Sequence, residues 1–172
     1  IHKRGMDAVV YYVCVFVEDY WNKHPESRST FADGTKIKQA VATRERPHRF
    51  ATCCFNEPGY RKRTLDEIEE LCRNYDFEGI WPDMTFWPTI CYCDSCREKY
   101  RRETGKEIPS TINFRDPEFM QFVNIRKKWL YEYCKEIDTA IRTYKPGIKY
   151  AQQSGLFGWD WMAGASNELA FG

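Results

Sequence analysis

The sequence predicts an α/β fold of the (β/α)8 TIM-barrel type, present as a partial barrel. Apolar, β-branched runs of strand length alternate along the chain with stretches of helical periodicity. No Gly-rich phosphate loop follows any of these runs, which argues against an open sheet built around a dinucleotide. Polar and aromatic residues gather just after the strand ends, where a barrel keeps its reactive face. A whole barrel takes about 250 residues, so the 172 present here correspond to part of one.

The elements follow in order. Ile1 to Gly5 reads as the last turn of a helix with its glycine stop. Residues 8–17 (AVVYYVCVFV) form a nearly unbroken apolar run, the signature of a strand buried on both faces. That strand ends at Glu18-Asp19-Tyr20-Trp21, and a polar loop runs on through His24-Pro25-Glu26 and Asp33-Gly34. A second short strand is expected over 49–55. A helix follows with Thr64 as N-cap and Glu67 completing a capping box, its apolar face made by Leu65, Ile68, Leu71, Cys72 and Tyr75. Residues 78–82 supply the next strand and close a βαβ unit.

A short helix is expected over 94–103, stopping near Gly105. Asp116-Pro117-Glu118 then opens a long helix: Asp caps, Pro fits the first turn, and Glu meets the positive dipole end. Its stripe is Phe119, Phe122, Val123, Trp129, Leu130, Tyr133, Ile137, Ile141 and Tyr144. Lys145-Pro146-Gly147 terminates it, and 148–153 reads as another strand. The last six residues resemble a helix cut short. The expectation is therefore a single domain over 1–172, truncated at both ends and belonging to a longer protein.

Composition narrows the function. A net charge of +1 lacks the concentrated positive field that nucleic acid or an anionic membrane requires. No apolar run approaches the roughly 18 residues of a membrane span. Aromatics reach 16% with six Trp, more than a core of this size needs, which fits stacking on sugar rings. The expected partner is a carbohydrate substrate, with no nucleic acid and no membrane; assembly into a homo-oligomer stays open. No organic cofactor is expected.

Of the eight cysteines, Cys14, Cys72 and Cys134 lie in apolar strand or helix positions, where a thiol is a small hydrophobe. Cys53, Cys54, Cys91, Cys93 and Cys96 gather in two loops. That distribution predicts reduced thiols and a metal site in a cytoplasmic protein rather than a disulfide framework.

Residues 77–96 (FEGIWPDMTFWPTICYCDSC) concentrate the chemistry. Asp83 directly follows the strand Gly79-Ile80-Trp81, with Trp81, Phe86 and Trp87 around it to desolvate it and to offer sugar-stacking faces. By composition alone an Asp that caps a loop or pairs with an Arg is the commoner outcome; position at a strand end favours catalysis. Further candidates for substrate contact are Trp21, His24, Asn56, Tyr60, Trp87 and Gln153. For Trp21 and Trp87 core packing is the competing role, and for Asn56 and Tyr60 it is the folding of the Pro58-Gly59 turn. The Cys-x-Cys-x-x-Cys cluster reads as a metal staple for the loop.

The run from Thr64 to Leu71, through Asn74-Tyr75 and on to Gly79-Ile80-Trp81-Pro82-Asp83, resembles family 29-type α-L-fucosidases. Their strand ends Trp-Phe-Asp and its Asp is the nucleophile. Pro82 replaces the usual Phe here, and no Gly follows Asp83. His24-Pro25-Glu26, the segment from Cys54 to Tyr60, and a cysteine cluster before a basic helix together resemble a hypothetical glycosyl hydrolase group of fucosidase-like proteins. The segment CYCDSCREKYRRETG is similar to family 42 β-galactosidases, some of which hold a structural zinc.

The resemblance implies a retaining, exo-acting α-L-fucosidase-like glycosidase with Asp83 as nucleophile. It also implies a structural Zn2+ on Cys91, Cys93 and Cys96, with Cys54 or Cys53 as fourth ligand. A β-galactosidase-like hydrolase is the alternative, although that family's Asn-Glu pair is replaced here by Pro82-Asp83. A non-catalytic, zinc-stabilised carbohydrate- or protein-binding barrel is the other. A retaining mechanism needs a second carboxyl group. Glu18, Asp19, Glu57 and Glu168 are the carboxylates at hand, but the acid/base is expected on a strand outside this chain, leaving the isolated fragment inactive.

Overall fold

Val9–Val13 (β1) and Gly79–Asp83 (β2) lie side by side as parallel strands in the computed structural model, which describes residues 1–37 and 51–151. Lys149–Tyr150 (β3) adds to the far side of β2, also parallel, so the sheet order is β1-β2-β3. Each strand is laid down next to the one before it. A doubly wound sheet reverses its direction of growth at a switch point, whereas a barrel does not. The three described strands show no such reversal, an order that a barrel shares with one half of a doubly wound sheet.

Among the described residues, four α-helices connect them: Glu18–Lys23 (α1), Pro58–Asn74 (α2), Asp94–Thr104 (α3) and Pro117–Tyr144 (α4). Helices α2 and α4 pack on each other, and Arg61 of α2 grips Glu136 of α4 with two bonds of 2.7 and 2.8 Å. On α4 the sidewall is a continuous buried stripe from Phe119 through Phe122, Val123, Trp129, Leu130, Tyr133 and Ile137 to Ile141. Each such side chain contributes roughly 1.5–3 kcal/mol on burial. The caps of α4 are as expected, with the Asp116 carboxylate accepting from the Glu118 N–H at 2.9 Å.

The sheet has two unlike faces. Tyr12 turns toward the helices, its hydroxyl donating to Glu67 of α2 at 2.7 Å, and Ile80 beside it is buried. Successive side chains alternate, so Val9, Tyr11, Gly79, Trp81 and Asp83 share the opposite face. There Val9, Tyr11 and Trp81 are 66%, 55% and 42% exposed.

Several expectations are corrected. The capping box at Thr64 is not the start of α2. That helix begins six residues earlier, with Pro58 in its first turn and the Glu57 carboxylate accepting from the N–H groups of Gly59 and Tyr60 at 2.8 and 2.7 Å. Thr64 is buried mid-helix, its hydroxyl bonded back to the Tyr60 carbonyl.

The strand expected over 49–55 is not formed by residues 51–55, and positions 49 and 50 lie outside the described residues. The backbone N–H groups of this segment go to three different segments, Thr52 to Ile37, Cys53 to Val15 and Cys54 to Ser27, so no continuous ladder forms. Residues 18–23, expected as the strand's end and the beginning of the loop after it, form α1, whose first turn carries Glu18 and Asp19 at the favourable dipole end. The first strand stops at Val13, short of residue 17. Only the beginning of the strand over 148–153 is described.

Candidate active site and metal centre

Asp83 ends β2, paired in register with Val13, and the residue is buried at 4% exposure. The parallel ladder puts it on the uncovered face with Tyr11 and Trp81, whose rings meet edge to face at 5.7 Å. The Tyr11 hydroxyl donates to Asp83 Oδ2. That bond pushes the phenol's pKa up to about 12. Oδ1 is buried without a hydrogen-bond partner among the described residues. A buried acceptor left unsatisfied costs on the order of 1–3 kcal/mol, so this oxygen is a local cost within the fold. Immediately after it, Met84 takes a left-handed φ of 59°, the conformation a glycine adopts without strain.

The cysteines converge from three places. Cys54 comes from the segment before α2, Cys91 from the loop after β2, and Cys93 and Cys96 from the cap and first turn of α3. Their sulfur atoms all lie within 4.8 Å of one another and all four residues are buried. Cys54 Sγ is 3.5 Å from Cys96 Sγ. Zinc–sulfur bonds of about 2.3 Å in a tetrahedron put sulfurs about 3.8 Å apart, so this set fits a four-thiolate ion with little adjustment. Such a group could hold a metal. The Cys53 thiol points elsewhere, toward the Val17 carbonyl and the Ser27 hydroxyl, which leaves Cys54 as the fourth member.

Burial opposes charge on Cys91, yet the thiols of Cys54, Cys93 and Cys96 that donate to it outweigh burial and hold it well below the usual thiol range. Cys54, donating to Cys91 and its neighbours, is held well above that range.

The other expected site residues fall in different places. Asn56 sits beside the cysteines: its amide donates to Cys96 Sγ at 3.4 Å and its oxygen accepts from Lys99 at 3.4 Å. Tyr60 is buried and donates to the Cys14 carbonyl at 2.8 Å, fastening α2 to the end of β1. Trp87 is buried with its ring 4.0 Å from Phe55, and its indole N–H donates to the Arg126 carbonyl at 3.1 Å. Trp21 is half-buried under the Arg28 guanidinium, 4.1 Å from its ring centre. His24 stacks on Tyr20 at 3.9 Å and pairs with Glu26 at 3.0 Å. Gln153 lies outside the described residues. Cys54, Cys91, Cys93, Cys96 and Asn56 are thus brought together, while Tyr60 and Trp87 have internal partners.

Among the carboxylates at hand, Glu57 is the α2 cap and Asp19 pairs with Lys23 on exposed α1. Glu168 lies outside the described residues.

Two residues of the site had no place in the sequence reading. Tyr11 carries no motif; its role appears only when β1 and β2 are set in register. Arg126 did leave a signal, since it interrupts the apolar stripe of α4 four residues after Phe122 and four before Leu130. Its side chain is 1% exposed and donates to the Thr89 carbonyl at 3.2 Å.

No protein-family model and no curated protein matches the sequence. Solved structures do match its fold. The α-L-fucosidase isoenzyme 2 of Paenibacillus thiaminolyticus is 23% identical with a TM-score of 0.62, covering 88% of this chain and 21% of the other. The β-galactosidase of Bacillus circulans sp. alkalophilus is 16% identical with a TM-score of 0.57, over 82% and 26%. Gan42B, a GH42 β-galactosidase of G. stearothermophilus, is 14% identical with a TM-score of 0.62, over 94% and 28%. The chain thus spans about a quarter of the length of the solved structures it matches. At these identities the likeness is one of fold: a parallel α/β segment of the kind found in TIM-barrel glycosidases. Among the described residues, no helix is long and apolar enough to cross a membrane.

Proposed function

We propose that this chain is the nucleophile-bearing part of a retaining glycoside hydrolase barrel, acting on terminal sugars, with α-L-fucosides as the first substrate class to test. The observation that carries this reading is Asp83: a buried carboxylate at the C-terminal end of a parallel strand, one oxygen held by Tyr11 and the other without a partner among the described residues. In a retaining hydrolase that free oxygen attacks the anomeric carbon as the glycosidic bond breaks, and water later releases the sugar from the ester. Tyr11 would fix the attacking carboxylate and take up part of the charge that returns to it when the ester is cleaved.

The exposed face made by Val9, Tyr11 and Trp81 is the one a closed barrel fills with layers of side chains. In this reading further strands cover it and one of them brings the acid/base carboxyl to about 5–5.5 Å from Asp83. Glu57 and Asp19 are occupied structurally. Trp21 and His24, half-buried after β1, are proposed at the rim of the sugar site.

Cys54, Cys91, Cys93 and Cys96 are proposed to hold a structural Zn2+. Four thiolates leave no open coordination position, so the ion would fasten the loop after Asp83 to α3 and to the segment before α2, without touching the sugar. None of the eight cysteines is in a disulfide, which suits the cytoplasm we assign to the protein.

The test is to assay the full-length protein on aryl α-L-fucosides and aryl β-galactosides beside Asp83→Ala. The variant should lose at least about a thousandfold in kcat, the scale of removing a nucleophile, and azide should restore turnover with inverted product. Full activity in Asp83→Ala would leave a fold that binds sugar or protein without this chemistry. Turnover of the galactoside alone would move the substrate class to β-galactosides.

A further inference from the structure

We propose that Arg126 is the counter-charge of the metal-loaded cysteine centre, a positioning residue that sets how tightly the four thiolates keep their ion. This rests on the reading of Cys54, Cys91, Cys93 and Cys96 as metal ligands.

The charge argument comes first. A divalent ion with four thiolates carries a net charge of −2, and all four cysteines are buried. A charge buried without an opposite charge nearby is expensive. Arg126 is an arginine placed in the apolar stripe of α4, on the side of the helix that packs inward. Such a position ordinarily belongs to Leu or Met, and burying a guanidinium there is costly unless something anionic compensates it.

The geometry ties this residue to the loop that carries Cys91. The Arg126 carbonyl accepts from the Trp87 indole at 3.1 Å, and its Nη2 donates to the Thr89 carbonyl at 3.2 Å. Its guanidinium also lies 5.2 Å from the Trp87 ring centre and 5.8 Å from that of Phe122. One residue thus holds positions 87 and 89 by both ends, two residues ahead of Cys91. Burial lowers the guanidinium's pKa to about 10, and the groups that favour its charge are Cys96, Cys91 and Tyr92, in that order. Asn56 contacts the cluster directly, its amide N–H donating to Cys96 Sγ at 3.4 Å. Outer-shell groups of this kind orient ligands and typically change metal affinity by about 10–100-fold.

If Arg126 serves packing alone, its charge is dispensable. Arg126→Gln retains a donor for the Thr89 carbonyl and removes the charge; Arg126→Lys retains the charge and gives up the planar fork. Zinc affinity of the full-length protein is measured by chelator competition, and stoichiometry by metal analysis. The expected result is one tightly held zinc in the wild type, affinity about 10–100-fold lower in Arg126→Gln, and an intermediate value in Arg126→Lys. The cobalt-loaded forms should show the same order in the retention of their sulfur-to-cobalt charge-transfer bands. A wild type that binds zinc while Arg126→Gln binds it equally tightly overturns this inference and leaves the metal reading standing. A wild type that binds none overturns both.

A second reading, independent of whether the Gln variant folds, comes from the wild type. Zinc loading should shift the Arg126 Nε–H resonance and slow its exchange with solvent. An Arg126 resonance indifferent to zinc overturns the inference as well.

Discussion

The hydroxyl of Tyr11, in the middle of β1, donates to Oδ2 of Asp83 at the end of β2, so neighbouring parallel strands meet through their side chains on the face turned away from the helices. Since Tyr11 pairs in register with Trp81 and Val13 with Asp83, the phenol reaches diagonally up the sheet to the carboxylate. This bond fixes one Asp83 oxygen, and the other, which has no hydrogen-bond partner among the described residues, is the one that attacks in the proposed mechanism.

Removing it should therefore cost rate more than binding. Tyr11→Phe is expected to lower kcat of the full-length enzyme by about 10–100-fold, the size of losing a hydrogen bond to a charged group, with little change in KM. A variant with normal kcat would show that Tyr11 does not act on the nucleophile.

The same bond has a pH signature. Tyr11's pKa in the folded state is raised above the ordinary tyrosine value to about 12. A raised pKa means its contribution to stability is fully present below about pH 10, the unfolded value, and fades as pH climbs toward 12. Comparing wild type with Tyr11→Phe by denaturant unfolding, the stability difference should be constant from pH 6 to 9 and shrink above about pH 10. A difference that grows with pH would contradict the assignment.

Glu57 is predicted to matter for stability and not for chemistry. Its carboxylate satisfies two N–H groups in the first turn of α2. Glu57→Ala should cost about 1 kcal/mol, within the range of about 0.5–2 for a lost N-cap, read as a lower urea midpoint with an unchanged m-value. A loss of kcat with full stability would instead place Glu57 in the catalytic pair.

Adjacent cysteines give opposite outcomes. Cys54→Ser should abolish stoichiometric zinc binding and loosen residues 84–96, seen as faster amide exchange there. Cys53→Ser should leave zinc at one per chain, because that thiol faces Val17 and Ser27. Zinc retained in Cys54→Ser and lost in Cys53→Ser would reverse the ligand assignment.

The parts of this architecture that could be read from sequence are those fixed by local chemistry. Asp116-Pro117 announces α4 because cap and first-turn preferences act within four residues, and the strand ending at Asp83 stands out by its apolar run. The start of α2 is not legible locally, because Pro58-Gly59 suggests a turn and Thr64 with Glu67 mimics a cap, whereas Glu57 and Pro58 supply the actual cap and first turn.

What local chemistry does not carry is pairing. Tyr11 meets Asp83, 72 residues away, only through strand register. Likewise Cys54, and not Cys53, joins the other three thiols only because the backbone bonds of this segment send the two side chains in different directions. Tyr60 and Trp87 have side chains suited to sugar, but the packing of α2 and α4 gives them partners inside the protein.

The most direct measurement is covalent trapping of the intermediate. The full-length enzyme, incubated with a 2-deoxy-2-fluoro glycosyl fluoride of its substrate sugar, should gain the mass of one sugar, and peptide sequencing by mass spectrometry should place it on Asp83. Label found on another carboxylate, in an enzyme that turns over normally, would contradict the assignment of Asp83 as nucleophile.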